Sequence, residues 1–433
     1  MKIAVVGAGL AGLAAAWLLA RRHEVVLFER QARPGFTSQS ITVEAGGGES
    51  RGAGKTARVD VPLRVFYPGY YPTLTRLYAE LGVASEPVSY ATSFSEGAGQ
   101  LYFRYRNLRW GDRSYGVWAP QDALLGARAW RIGAALLRCA PRARAAVARG
   151  VPAGLSITDW AREEGLARDF VDGFLLPALC TICTCDTLQA RTFPADVVLD
   201  YLLRGLTRES VRRACGGADD VQARLLAGIP RLHTGARLAN IRADANEVLL
   251  HHEDGDTEHF EHLVFATPAP QALRLLAEPS AAETRALSTF RYVPVDVVTH
   301  RDPALLPARR RDWSPVNLWQ PHDRAAVEST IWVNAVQPDL RQAPEVFQTV
   351  HPLRSPRAGL LLAHARFERP LVNADSSRGW QELAALHREP GRRLWFCGAY
   401  AGAGIPLLES AVRTAHDVAV RLGAPGLRAD SST

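Results

Sequence analysis

The opening stretch "KIAVVGAGLAGLAAAWLLARRHEVVLFER", starting at residue 2, constrains the fold more than any other part of the chain. Ile3 to Val6 is a short apolar run of the kind that forms a buried parallel strand. It runs into Gly7-Ala8-Gly9-Leu10-Ala11-Gly12, a complete G-x-G-x-x-G. A helical pattern follows from Leu13 to about Arg22, and a second apolar run from Val25 to Phe28 ends at Glu29. Gly7 permits the tight turn, Gly9 lets the backbone approach a pyrophosphate, and Gly12 lets helix and strand pack closely. The free N–H groups of the helix N-terminus then face phosphate. Glu29 ends the next strand, where an acid accepts hydrogen bonds from a ribose diol. A glycine motif set between strand and helix, with that acid in place, predicts a dinucleotide site rather than a structural turn.

At 433 residues the chain exceeds one ordinary domain, and two closely joined lobes are expected. It is 47% hydrophobic and 22% charged, the balance of a globular protein. No apolar run reaches the length of a membrane span. The N-terminus lacks the charged-then-apolar order of a signal peptide, so a cytoplasmic location is expected. The net charge of +7 comes almost wholly from arginine, the two lysines being Lys2 and Lys55. No nucleic-acid motif or aromatic-basic platform accompanies it, and no nucleic-acid partner is expected.

The rest of the chain alternates in character. Residues 31–58 are rich in Gly, Ser and Arg and read as a mobile loop. "YYPTLTRLYAELGV" reads as a helix entered through Pro72, residues 84–118 as strands, and residues 120–215 as mainly helical. Ser156 or Thr158 caps the "SITDWAREEGL" helix. "ARLANIRADANEVLLHHEDGDTEHFEHLVFATPAP" reads as four strands with a turn at Gly255. Residues 276–370 mix strands and loops. "RLWFCGAYAGAGIPLLESAVRTAHDVAVRL" returns to strand, glycine turn, helix. The nucleotide-binding elements thus fall in three pieces, residues 1–75, 215–275 and 386–424. The pieces between them, 76–214 and 276–385, form a second lobe, and 425–433 is a frayed tail. A single-block dinucleotide fold suits NAD; split blocks suit FAD lying extended between two lobes.

With these motifs the chain resembles the flavin-containing amine oxidase superfamily, which includes phytoene-type desaturases and protoporphyrinogen oxidases. More closely it resembles a bacterial and fungal branch of FAD-dependent oxidoreductases often associated with fatty-acyl modification. The resemblance covers roughly residues 1–422. It implies an α/β fold, with a Rossmann-like FAD-binding lobe of the GR2 type and an inserted α+β substrate lobe. It rests on Gly7, Gly9, Leu10, Ala11 and Gly12 with Glu29 and Arg30. It also rests on "ERQARPGF", which matches E-x-x-x-R-x-G-G through Glu29, Arg33 and Gly35. By that analogy Arg33 reaches the phosphates or ribityl chain. "CGGADDVQARLL" and "ARLANI" follow, with Leu238 at the adenine side, then "HLVFATP", with Ala266, Thr267 and Pro268 near the adenosine. "LWFCGAYAGAG" and "ESAVRTA" bring Gly398, Ala399, Gly404, Glu409, Ser410 and Ala411 to the pyrophosphate and flavin ring. Three positions depart from the pattern: Phe36 replaces a glycine, Asp60-Val61-Pro62 stands where a glycine borders the flavin, and Ala399 replaces an acid.

The implied chemistry is hydride transfer from a hydrophobic small molecule to non-covalently held FAD, reoxidised by oxygen or another electron acceptor. Oxidation or desaturation of an acyl, terpenoid or other secondary metabolite is the main expectation. Amine or amide oxidation is a second, double-bond isomerisation without net redox change a third, and a flavin-bearing binding protein without catalysis a fourth. Amine oxidases of the superfamily set a lysine against the flavin, and Lys55 is the only lysine placed for that. Tyr400 stands near the position of an aromatic cage residue. In "ALCTICTCDTLQARTFPADV", Cys183 and Cys185 are candidate catalytic thiolates if a nearby cation lowers their pKa. Together with Cys180 they are alternatively small buried residues on a packed turn. Three thiols without a fourth ligand make no metal site, and structural disulfides are not expected. Residues 124–150, apolar with interspersed arginines, are either a membrane-surface contact or a cap helix with a solvated face. His300, His351, His364 and Asp302 either line a pocket or are structural, and Trp313, Trp319 and Trp332 pack the second lobe. The oligomeric state is monomer or homodimer.

Overall fold

The computed structural model describes residues 1–45, 56–110, 113–118, 126–205 and 210–428. Strand β1 (Lys2–Val6), helix α1 (Leu10–Leu19) and strand β2 (Glu24–Glu29) form where the apolar periodicity places them. β1 and β2 pair in parallel at the centre of a five-stranded sheet. The other three strands, Arg231–Thr234, His262–Phe265 and Leu394–Phe396, come from the middle and end of the chain. Near-continuous apolar strands are what a sheet covered on both faces requires. α1 is buried on almost every side, because it lies between this sheet and the C-terminal helix Leu408–Arg421. A second core fills the opposite face, around Phe28, Phe265 and Phe396.

The second lobe centres on an eight-stranded sheet. Its strands run from the edge strand Leu361–Pro370 through Tyr292–His300 and on to Thr92–Glu96, Gln100–Trp110 and Arg113–Val117. Pairing is antiparallel except between Val316–Gln320 and Thr92–Glu96. Helices between residues 127 and 204 cover it. Helix α2 (Pro72–Leu81) begins at the expected Pro72. Ser156 caps the Ile157–Glu163 helix by accepting the Asp159 N–H. The Ala127–Arg149 helix packs Ile132, Ala135 and Ala143 inward while Trp130 and Leu137 remain exposed. No helix among the described residues is long and apolar enough to cross a membrane.

Two expectations need correction. Residues 31–58 are not one loop: Ile41–Glu44 and Thr56–Val59 pair as an antiparallel hairpin. Its alternating Ile41, Val43, Ala57 and Val59 pack with Val333 and Leu340. The tail does not fray at 425, because Leu427 is buried in the first core and the Arg428 N–H is held by Glu80.

Candidate functional site

The glycine turn has the form its sequence requires. Gly7 has a φ of 103°, a left-handed value suited to glycine. A Cβ on Gly12 would fall 1.7 Å from the Gly7 carbonyl oxygen, so helix and turn touch. A Cβ on Gly9 would meet nothing within 4 Å. The turn is therefore tight on its inner side and open on its outer side. No side chain caps α1, and its first turn holds no acid, leaving Leu10, Ala11 and Gly12 at a helix terminus that favours an anion. The Glu29 carboxylate lies beside it, buried, accepting the N–H groups of Ala8 (2.8 Å) and Gln31 (2.9 Å). Thr267 packs against Gly7, and its buried hydroxyl has no partner. Ala266 donates its N–H to Val6, which fixes this rim. An open glycine face, an uncapped helix terminus, an acid and an unpaired hydroxyl in one cradle fit the diphosphate and ribose of a dinucleotide.

Leu238 opens its strand half-buried beside the end of β2, where Ala236 donates to the Glu29 carbonyl. Gly398 (φ 146°) donates its N–H to Thr414, and Ala399 packs on the first core. Ser410 is buried with its hydroxyl on the Ile405 carbonyl, next to buried Ala411. Arg30 and Arg33 are exposed. Glu409 is occupied elsewhere: its carboxylate accepts the N–H groups of Thr73 and Leu74 at the start of α2. It acts there as a cap supplied from another helix.

From Gly9 and Leu10 a cavity of about 400 Å³ runs into the second lobe. Its near wall is Gly35, Phe36, Pro62 and Leu407; its far wall is mainly aromatic, with Tyr67, Tyr71, Tyr90, Tyr105, Phe94 and Phe174. Phe174 sits on a π-helical turn, Val171–Leu175, a local widening that recurs at functional sites. Burial pushes the tyrosine phenols up, so they stay neutral. Phe36, one of the departures, takes the Arg64 guanidinium over its ring at 4.4 Å, and its carbonyl accepts from Arg64 at 2.6 Å. Pro62 forms wall, while its neighbour Asp60 accepts the Ala218 N–H and so anchors the "CGGADD" turn.

The proposed catalytic side chains lie outside this cavity. Tyr400 packs against Phe290 (5.0 Å between ring centres) and Tyr292 in the second core, and its buried hydroxyl has no partner. One aromatic facing away from the cavity builds no cage. Cys180 and Cys183 are buried on the helix Leu176–Cys183 and Cys185 just beyond its end, and it is Thr184, capping that helix with a left-handed φ of 49°, that faces the cavity. Hydrogen bonding among the thiols, with burial, drives Cys180 up; Cys185 is likewise raised, the opposite of a reactive thiolate. Cys183 lies within electrostatic reach of Arg369. Lys55 lies outside the described residues.

The histidines are structural pins. His300 accepts the Asp302 N–H on Nδ1 and shares a 2.8 Å hydrogen bond with Thr349 through Nε2. Asp302 is held by Arg357, and exposed His364 pairs with Asp296. His351 closes a strand end with a left-handed φ of 50°, its backbone N–H donating to the Asp296 carbonyl while its buried Nε2 has no partner. Trp313 packs on Trp332 and donates to the Pro307 carbonyl, and Trp319 donates to Gly97. Sequence reasoning missed Arg64 and Arg369, the two guanidiniums on the cavity wall. Arg64 carried a signal, as a lone charge inside the apolar run "VPLRVF"; Arg369, in the alternating "ARFERP", looks like any solvated strand residue.

Residues 5–81 match the family model for the NAD(P)-binding Rossmann-like domain. A search of curated proteins finds no sequence match. Solved structures match over the whole chain. A conjugated-linoleic-acid-producing fatty acid isomerase from P. acnes superposes with a TM-score of 0.65 at 13% identity, covering 97% of this chain and 98% of that one. Cyclohexylamine oxidase from Brevibacterium oxydans gives 0.63 at 14% identity, covering 98% and 99%. Putrescine oxidase bound to putrescine gives 0.62 at 14% identity, covering 98% and 100%. The chain therefore has the amine-oxidase-type fold, a Rossmann-like lobe joined to an α+β lobe, as its motifs led us to expect.

Proposed function

We propose that the protein is an FAD-dependent oxidoreductase that takes a hydride from a hydrophobic small molecule. The observation that carries this reading is continuity: one cavity joins the open face of the Gly9 turn to an aromatic chamber in the other lobe. Gly7–Gly12 would hold the diphosphate of a dinucleotide, and Phe36 and Pro62 wall the way from there to the chamber. FAD, when bound, would supply the hydride acceptor. The chain supplies the rest. Leu10, Leu407 and Leu408 exclude water at the junction; Phe94, Phe174, Leu179 and Ile182 hold an apolar chain. The neutral tyrosines offer hydroxyl groups without charge. No lysine or histidine lines the cavity among the described residues, so positioning and desolvation carry the C–H cleavage.

Double-bond isomerisation is the second reading, favoured by the likeness to the fatty acid isomerase. An amine substrate fits less well, since Arg64 and Arg369 repel an ammonium group.

The test is an absorption spectrum of the purified protein before and after acid precipitation. A flavin spectrum released to the supernatant is expected, followed by anaerobic bleaching with an oxidisable substrate. A colourless protein that takes up no added FAD overturns the proposal. Product of unchanged mass with no acceptor consumed selects the isomerase.

A further inference from the structure

Arg64 and Arg369 reach the cavity from separate parts of the fold. Arg64 follows the Asp60-Val61-Pro62 wall; Arg369 lies near the end of the edge strand Leu361–Pro370, opposite Val293. The alternation of that strand sends Ala365, Phe367 and Arg369 to the inner face and leaves Arg366 and Glu368 exposed, Glu368 at the rim of the cavity. Both guanidiniums line the same cavity and lie within electrostatic reach of each other.

Neither makes a direct ion pair among the described residues. Arg64 Nη2 donates to the Phe36 carbonyl, while its buried Nη1 has no partner. Among the described residues the Arg369 guanidinium makes no ion pair or side-chain hydrogen bond. Asp60 and Asp219 act on Arg64 only through space, Asp60 already accepting the Ala218 N–H and being pushed up by burial, and Glu368, which also lines the cavity, pairs with neither guanidinium. Tyr71 beside Arg369 stays a neutral phenol. Burial lowers both arginines, yet guanidinium keeps its proton in proteins. Two buried cations without a direct ion-pair partner, in a mainly apolar chamber, are costly unless an anion joins them. The planar forks of two arginines suit a carboxylate, each donating along parallel N–H directions.

We propose that Arg64 and Arg369 bind the carboxylate of an otherwise apolar substrate. This deepens the oxidoreductase reading and rests on it. The aromatic walls then take the hydrocarbon part, and the same pair selects acids over esters, amides and amines. An oxyanion could equally come from the cofactor's diphosphate, which approaches the cavity at Gly9, so the test separates the two.

FAD-loaded protein is titrated with laurate, lauramide and dodecylamine, followed by calorimetry and by the perturbed flavin absorbance. Laurate is expected to bind about tenfold or more tighter than lauramide, the scale of a charge-assisted hydrogen bond, with dodecylamine weakest. Arg369→Met is expected to remove the laurate preference and leave FAD stoichiometry unchanged; Arg369→Lys restores part of it. The wild-type ratio stands without the variants if either fails to fold. The proposal is overturned by laurate showing no saturable binding, or binding no tighter than lauramide. It is also overturned if Arg369→Met weakens FAD binding while the acid preference persists, which would assign the pair to the diphosphate. In each of these results the parent protein still binds FAD, which separates them from failure of the oxidoreductase reading, in which no flavin binds.

Discussion

Glu409 closes the first turn of α2 from 336 residues away, with Oε2 accepting the Thr73 N–H at 3.0 Å and the Leu74 N–H at 2.9 Å. All three residues are buried, so water cannot replace the carboxylate. Glu409→Ala should cost about 1–2 kcal/mol, the worth of a lost helix cap with buried donors left unpaired. Glu409→Gln, which retains one oxygen acceptor, should recover much of that. Thermal melts read the difference. Flavin bound per folded molecule should be equal in all three proteins; a fall in flavin with an unchanged melt would make Glu409 a cofactor contact instead.

The last two glycines of the opening turn should respond differently to the same methyl group. In Gly12→Ala the new Cβ lands on the Gly7 carbonyl at 1.7 Å, and backbone has to move. Loss of soluble folded protein, or a large fall in melting temperature, is expected. In Gly9→Ala the Cβ meets no protein atom within 4 Å. That variant should melt like the parent without cofactor, yet bind FAD at least about tenfold more weakly, because the methyl occupies the space where the diphosphate approaches. Equal FAD affinity in Gly9→Ala and the parent would remove the diphosphate from this turn.

The parallel sheet was readable because β1, β2 and His262–Phe265 are apolar runs ended by glycine, an acid or proline, signals local to a few residues. The cradle was readable for the same reason: each glycine there answers a backbone requirement that sequence spacing encodes. The walls of the cavity were not. Phe36, Pro62 and Arg369 meet only through folding of segments hundreds of residues apart, and Arg369 sits in a strand whose charge pattern suggests solvent on both faces. The cysteine turn misled because thiol spacing says nothing about which atom faces the cavity; a left-handed Thr184 does so there. Glu409 was assigned to the cofactor by its motif, whereas its carboxylate was already committed to a helix far off in sequence.

Acid should destabilise the fold well above the carboxylate range. Burial lowers His300 to about 4 and, helped by Arg392 and Arg421, lowers His387 to about 3. His387 Nε2 accepts the Phe396 N–H at 3.0 Å, which requires the neutral ring. A folded pKa below the unfolded value of about 6.5 means that the unfolded chain binds more protons between the two. Stability is therefore full above pH 6.5 and falls as pH drops towards 4 for His300 and 3 for His387. The slope is about 1.4 kcal/mol per pH unit for each ring. His387→Gln keeps an acceptor for Phe396 without a titrating group. Its unfolding free energy should decline less steeply from pH 6.5 to 4 than that of the parent; identical slopes would exclude His387 as a source of acid sensitivity.

Thiol reactivity gives the last prediction. Of the six cysteines, Cys215 is exposed and the other five are buried. Burial raises Cys139 to about 11 and Cys397 to about 12, while Cys185 is raised on balance, its hydrogen bond with Cys180 lowering it and that with Cys183, burial and Asp186 outweighing this, with no cation among the causes. Since the thiolate is the reactive form, a disulfide reagent at neutral pH should modify Cys215 first and the others only on unfolding. Native protein should release about one equivalent of chromophore, Cys215→Ser almost none, and denatured parent about six. Cys185→Ala should change flavin reduction by less than about threefold, because its thiol neither lines the cavity nor ionises near neutrality. Rapid labelling of Cys183 or Cys185 in the folded protein, with parallel loss of flavin reduction, would place a thiolate in the reaction after all.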